Sequence, residues 1–168
     1  LGPKTQFNAS LGTQRWSLPL ADRPKLTTHP MSAGLDHRYS SITRIQYQFR
    51  RQTTPNFSAR SGLSQQLQHD WSLNWDHSPK TRWRLDLTRA RLAPAFQDGG
   101  LRGSERTRQW ALVSRLEHEW QRPWTAYIEM GMERKDIEYL DGSVRHLRQR
   151  FWQLGLRYDW QRSRHSRD

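Results

Sequence analysis

Cysteine is absent from the chain, which removes any disulfide framework and any thiolate metal site. Strictly apolar runs are short, about four residues at most, from Trp110 to Val113. A transmembrane helix of about 20 apolar residues is therefore excluded. Hydrophobic residues make up only 33% of the chain, fewer than a soluble domain usually carries. The mean hydropathy of −1.06 does not exclude a membrane sheet, because such a strand presents apolar side chains only at alternate positions. Acids are outnumbered, 16 against 28 Lys and Arg, for a formal charge of +12. That balance points to an anionic partner: nucleic acid, anionic lipid or acidic polymer. The length of 168 residues suits one domain. The chain begins at Leu1 with no signal-peptide pattern, as expected of a processed mature form or of a piece of a longer chain.

Alternation of apolar and polar residues is abundant. It is clearest from Arg150 to Trp160, where Trp152, Leu154, Leu156, Tyr158 and Trp160 share one phase and Phe151, Gln153, Gly155, Arg157 and Asp159 the other. Period two marks a β-strand with one apolar and one polar face. The same reading predicts strands over Lys4–Arg15, His29–His37, Ile42–Gln52, Ser64–Asp76, Thr81–Leu92, Thr107–Gln121 and Trp124–Arg134. Trp16–Thr28, Thr53–Leu63, Ala93–Arg106 and Asp136–Arg145 read as long loops. Arg38–Ser41, His77–Lys80 and Gln121–Pro123 read as short turns.

Eight strands with alternating long and short connections match an antiparallel, up-and-down transmembrane β-barrel, with short turns on one side and longer loops on the other. The barrel would span residues 1–161, whole or as the carboxyl-terminal part of a larger one, and 162–168 would form a disordered tail. Tryptophan placement agrees. Trp75, Trp83, Trp120, Trp124 and Trp160 fall at strand ends beside short turns, and Trp110 and Trp152 near the other ends. Two such girdles are what amphipathic rings at the two interfaces of a bilayer produce. Alternation alone does not say which face points inward, and a soluble barrel would put Leu and Trp inside.

The segment from Gln153 to Trp160 also resembles the C-terminal assembly signal of bacterial outer-membrane proteins. Gln153, Gly155, Tyr158 and Trp160 occupy its polar, glycine and two apolar positions. One departure is that eight residues, QRSRHSRD, follow. The resemblance implies an outer-membrane location and recognition by the barrel assembly machinery. The arginine-rich strands and the ending LGLRYDW also look like barrel domains of exopolysaccharide export and surface-assembly proteins, which implies passage or anchoring of an anionic solute or polymer.

With the apolar face outward, the lumen holds Arg44, Arg50, Arg82, Arg84, Asp86, Arg115, Glu117, Glu119, Glu129, Glu133, Arg157 and Asp159. Both signs are present, so these groups either pair across a filled interior or line an aqueous channel. On the lipid-facing phase, at the opposite ends from the short turns, lie Arg51, Arg89, Arg91, Arg108, Arg134, Arg148 and Arg150. This basic collar is expected at the phosphate-rich head groups of lipopolysaccharide, which guanidinium pairs bidentately.

Catalytic signals are weak. No HExxH, GxSxG or phosphate loop is present, and no cofactor or metal is expected. His118 and Ser114 share a strand face about 13 Å apart, and His69 and Asp70 point to opposite faces. The expectation is a non-enzymatic outer-membrane barrel, structural or channel-type. Two other classes compete: a soluble basic β-barrel binding nucleic acid, and a lipid-modifying enzyme on a membrane barrel. Nucleic acid is disfavoured because the aromatics lie opposite most of the arginines rather than among them.

Overall fold

The computed structural model describes residues 4–17, 25–55, 63–94, 106–121, 123–139 and 141–158. All regular structure among them is β. The strands are β1 (Lys4–Leu11), β2 (Gln14–Ser17), β3 (Lys25–Thr28), β4 (Met31–Arg38), β5 (Thr43–Pro55), β6 (Leu63–Ser78), β7 (Thr81–Pro94), β8 (Arg106–Gln121), β9 (Trp124–Glu138) and β10 (Val144–Tyr158). Eight of them form one antiparallel sheet in the order β1-β4-β5-β6-β7-β8-β9-β10, and β2 pairs with β3 apart from it. Every neighbour within the large sheet is a neighbour in sequence, except where the β2–β3 ribbon is inserted.

The eight expected strands are all present, with altered bounds. The first ends at Leu11 rather than Arg15, because Gly12 N donates to Pro30 O at 2.9 Å and closes the β1–β4 ladder. Part of the expected loop Trp16–Thr28 is strand: Ser17 and Trp16 face Lys25 and Leu26, and Trp16 Nε1 donates to Thr28 Oγ1 at 3.2 Å. The expected loop Asp136–Arg145 shrinks to residues 139–143, since β9 runs on to Glu138 and β10 starts at Val144. There the apolar alternation stops but the pairing continues with charged side chains, Arg134 opposite Arg148 and Asp136 opposite His146. The tail and Asp159 to Gln161 lie outside the described residues.

Register sorts the side chains. Thr5, His37, Ile45, Leu73, Leu85, Ser114, Met130 and Trp152 form one row across all eight strands. The next row is Phe7, Leu35, Tyr47, Trp71, Leu87, Leu112, Met132 and Arg150. Side chains two apart share a face, so each strand's apolar phase falls on the same side. The opposite side is polar and encloses space. A hollow of about 850 Å³ has eleven polar-face residues among its fifteen lining residues.

Among the described residues no second layer packs on the eight-stranded sheet. Among the described residues only Leu63 and Ile137 are buried apolar side chains, while Trp152 is 77% exposed and Leu154 71%. The accessible surface is 13318 Å². A folded monomer of 20.1 kDa exposes about 8700 Å². Closure into a barrel is not observed: β1 and β10 are the two edges of the sheet.

The short turns step along the sheet. Trp75 lies opposite Thr43 at the β4–β5 turn, three residues before Ser78 at the next. His118 lies opposite Thr81 there, three residues before Gln121 at the last. The stagger is about 1.5 residues per strand in one direction, the offset that tilted strands require.

The β9–β10 turn closes with Tyr139 N on Ser143 O (2.9 Å) and Gly142 N on Tyr139 O (3.1 Å). Gly142 takes φ +81°, a left-handed conformation that side chains disfavour. The Ser143 hydroxyl and backbone N–H, which bond to Asp141, hold its carboxyl below the ordinary 3.8. A depressed acid contributes stability fully above its unfolded value, and that contribution is lost as pH falls through the folded value. Amide exchange at Ser143 should therefore accelerate as pH drops below about 4, after correction for intrinsic exchange. Asp141→Asn should remove that pH dependence.

Candidate functional site

The polar face is built from hydrogen-bonding residues in adjacent rows. Towards β1, Asp36 accepts from Arg44 Nε (2.8 and 3.0 Å) and from Gln46 Nε2 (3.1 Å). Ser72 Oγ donates to Gln46 Oε1 at 3.3 Å. A chain then runs up β6: Gln52 to Gln66, Gln66 to Gln68, Gln68 to Asp70, with Thr88 Oγ1 donating to Asp70 at 2.9 Å. Of these residues Asp36, Gln46, Asp70, Ser72 and Thr88 line the hollow.

Towards β10 the rows carry charge. Arg84 pairs with Asp86 at 2.7 Å and Arg82 with Asp76 at 3.6 Å. Arg115 reaches Glu117 (2.9 Å) and Glu129 (3.3 Å), and Arg157 reaches Glu117 (3.6 Å). The Arg115 guanidinium carbon also sits 4.4 Å above the Tyr127 ring. Gln109 Nε2 donates to Glu133 Oε1 at 2.9 Å. Partly exposed pairs of this kind contribute about 0–1 kcal/mol each, so their main effect is to cancel charge on this face.

All the expected lumen residues within the described chain share this face: Arg44, Arg50, Arg82, Arg84, Asp86, Arg115, Glu117, Glu119, Glu129, Glu133 and Arg157. Arg50 makes no ion pair among the described residues. Asp159 lies outside them.

The other face carries the tryptophans. Trp75 is directly opposite Trp83, in the row of Leu116, Ile128 and Leu154. Trp124 meets Tyr158 edge to face, ring centres 4.9 Å apart. Trp120, at the register shift beside the last short turn, is 78% exposed. Trp110 lies nearer the other end, but Trp152, expected there too, is mid-strand, two rows from the row of Trp110 and one from that of Trp75 and Trp83. Trp160 lies outside the described residues.

All seven expected collar arginines stand on this same face, six of them at the end opposite the short turns; Arg150 instead lies mid-strand, in the apolar row of Leu87, Leu112 and Met132. Arg89, Trp110, Arg134 and Arg148 share one row, and Arg91, Arg108, Asp136 and His146 the next. Arg51 is on β5 in that second row, and Arg150 is one row nearer the centre. Once its amide is oriented to suit, Gln65 accepts from Arg51 Nη2 and Nε at 2.9 and 3.1 Å. Asp136 accepts from Arg134 Nε at 3.0 Å and lies 2.7 Å from His146 Nδ1.

Tyr127, Gly131 and Phe151 went unrecognised in the sequence. Gln153 Nε2 donates to the Tyr127 hydroxyl at 2.9 Å, and the Tyr127 ring lies over Gly155 in the paired strand. A Cβ on Gly155 would sit 2.4 Å from Tyr127 Cζ, and one on Gly131 2.5 Å from Phe151 Cζ. Two rings thus cover two bare glycines across β9 and β10, a cross-strand aromatic–glycine fit. Gly155, Gln153 and Tyr158, three positions of the assembly-signal resemblance, are all engaged with β9. The sequence signal was an aromatic residue on the polar phase, legible only once register pairs it with a glycine.

The chemistry-bearing neighbours separate. His118 Nδ1 is 2.9 Å from Thr81 Oγ1, and Ser114 Oγ accepts from Trp83 Nε1 at 2.9 Å. His69 Nδ1 is 2.9 Å from the Tyr47 hydroxyl, on the face opposite Asp70. No group of three or more His, Asp or Glu that could hold a metal occurs among the described residues.

Comparison of the chain with family models, with curated proteins and with solved structures finds no match.

The glycine fit makes a direct prediction. Gly155→Val and Gly131→Val should each destabilise the sheet by about 1–3 kcal/mol through overpacking, read by urea unfolding in detergent micelles. Gly12→Ala, whose new Cβ would meet its nearest neighbour at 3.4 Å, should change little.

Proposed function

We propose that this chain forms wall of a β-barrel in a bacterial outer membrane, with the apolar face against lipid and the polar face around a hydrophilic lumen. The observation that carries this reading is the uncovered apolar face, continuous across all eight strands. In water each large apolar side chain left exposed forfeits about 1.5–3 kcal/mol, and a bilayer is the medium that recovers it without a second layer.

Three further observations support it. Trp110 and Trp120 are ten residues apart on β8, which is about 33 Å along a strand and about 25 Å along the axis at a tilt near 40°. That equals the height of the outward apolar band of outer-membrane barrels, about 25 Å. The stagger of the short turns fits tilted strands. The short turns and the tryptophan pair Trp75–Trp83 stand at one end, and the long connections at the other.

The role we propose is structural or channel-type, without catalysis. Acids and arginines largely neutralise one another near β8–β10, while the hollow beside β4–β7 is lined by Gln46, Gln48, Asp70, Ser72 and their neighbours. Amides and hydroxyls bind a hydroxyl-rich polymer better than they bind a bare anion. Passage or surface assembly of an exopolysaccharide is therefore the finer reading, with the edges β1 and β10 paired to further strands or to one another.

The first test is migration of the detergent-refolded chain on gels with and without boiling. The expected outcome is insolubility without detergent and a compact, faster band before boiling. A soluble monomer in plain buffer would reverse the faces and bring nucleic-acid binding forward. Adjacent substitutions then test the orientation. Leu73→Arg should cost about 2–4 kcal/mol in a bilayer, and Ser72→Arg, facing the hollow, far less. Equal effects of the two would sink the assignment of faces.

A further inference from the structure

We propose that Arg91, Arg108, Arg134 and Arg148 form a binding site for a membrane lipid that bears two phosphates, as the lipid anchor of lipopolysaccharide does. This rests on the reading of the apolar face as lipid-facing, and it replaces a diffuse collar with a site of defined geometry.

Register supplies the central observation. Arg91 lies directly opposite Arg108 on β7 and β8, and Arg134 directly opposite Arg148 on β9 and β10. Directly opposed residues have Cβ atoms about 4.5–5.5 Å apart, and like charges there are destabilising. Two such pairs stand side by side on four consecutive strands. Their centres are two strands and one row apart, roughly 12 Å.

The local acid relieves one of the four, Arg134. Asp136 stands between Arg108 and His146 in its row, and its carboxylate is already engaged by Arg134 and His146. Arg91, Arg108 and Arg148 are exposed and make no ion pair among the described residues. On the polar face Arg44, Arg82, Arg84, Arg115 and Arg157 instead pair with Asp36, Asp76, Asp86, Glu117 or Glu129. Three guanidiniums without an ion pair among the described residues, beside a fourth that shares Asp136 with His146, call for an anion from outside the chain.

The chemistry of the cations narrows that anion. Every basic residue on this face of β5–β10 is arginine apart from histidine; the described lysines in strands of the large sheet, Lys4 and Lys135, belong to the polar face. A guanidinium matches phosphate oxygens with two parallel donors, which an ammonium does not. Each opposed pair can clamp one phosphate from two sides. The surroundings narrow it further. Trp110 lies beside the pairs, and Leu87, Leu112 and Met132 lie in the rows towards the centre of the sheet. An anion that fits both zones carries acyl chains, which favours a lipid over a soluble polyanion.

The test uses the full chain refolded in detergent micelles and titrated with the diphosphorylated lipid anchor or with its dephosphorylated form, read by native mass spectrometry and by urea unfolding. The phosphorylated lipid should bind at least tenfold more tightly than the dephosphorylated one. Arg91→Gln with Arg108→Gln, and Arg134→Gln with Arg148→Gln, should each weaken binding tenfold or more. The Arg91/Arg108 double variant should also be as stable as the parent, or more so, without lipid, because an opposed cation pair is gone and no ion pair is lost with it. Arg84→Gln on the polar face should bind as the parent does.

Equal binding of the two lipids, or double variants that bind like the parent, would overturn the site and leave the membrane reading standing. A chain that never enters micelles would overturn both. Tighter binding of tripolyphosphate than of the lipid by the soluble chain would assign the same arginines to a soluble polyanion instead.

Discussion

A single antiparallel sheet must leave both faces open unless something outside it provides cover. That constraint governs this molecule. Pairing satisfies the backbone groups within the sheet, and period-two register sends most large apolar side chains to one side. No helix and no second sheet lie over that side among the described residues. The favourable term that normally offsets chain entropy is burial of apolar surface. Here that term is deferred to the surroundings, so the environment is part of the fold's energetics.

Much of this was legible before any coordinates. Ile45, Tyr47 and Phe49, or Trp152, Leu154 and Leu156, announce strand and face together, because a strand half in contact with an apolar medium has no freedom to break the alternation. The short turns at 79–80 and 122–123 were equally plain. Strand ends were not. Beyond Arg134 the pattern loses its apolar half, yet β9 continues through Asp136 and Ile137, because hydrogen-bonded pairing does not depend on hydrophobicity once a partner strand is in register. The β2–β3 ribbon was missed for a related reason. Gln14 to Ser17 holds one large apolar residue, Trp16, and one residue has no period.

The site divides in the same way. Which residues share a face follows from parity, so the expected lumen and collar groups fell on their expected sides. Which residues touch follows from register, which parity does not contain. Nothing in the spacing of Gly131 and Phe151, or of Tyr127 and Gly155, says that each glycine lies opposite an aromatic ring. The same gap hid the opposed arginine pairs, which are 17 and 14 residues apart in sequence and face one another only because of where the connecting turns fall.

Charge sorting then carries more meaning than charge total. The formal +12 invites a nucleic-acid reading, but the arginines are not deployed alike. On the polar face they alternate with carboxylates two residues away or across the strand, so their fields cancel within a few ångströms. On the apolar face most of them concentrate at the end away from the short turns, with a single carboxylate, Asp136, among the paired rows. A surface evolved for a long soluble polyanion gains from a continuous basic track with aromatics interleaved. A band of arginine bordering a band of leucine instead matches a partner that is itself divided into an anionic and an apolar layer. The boundary between the two bands, rather than the net charge, is the feature on which the proposed contact with a lipid surface rests.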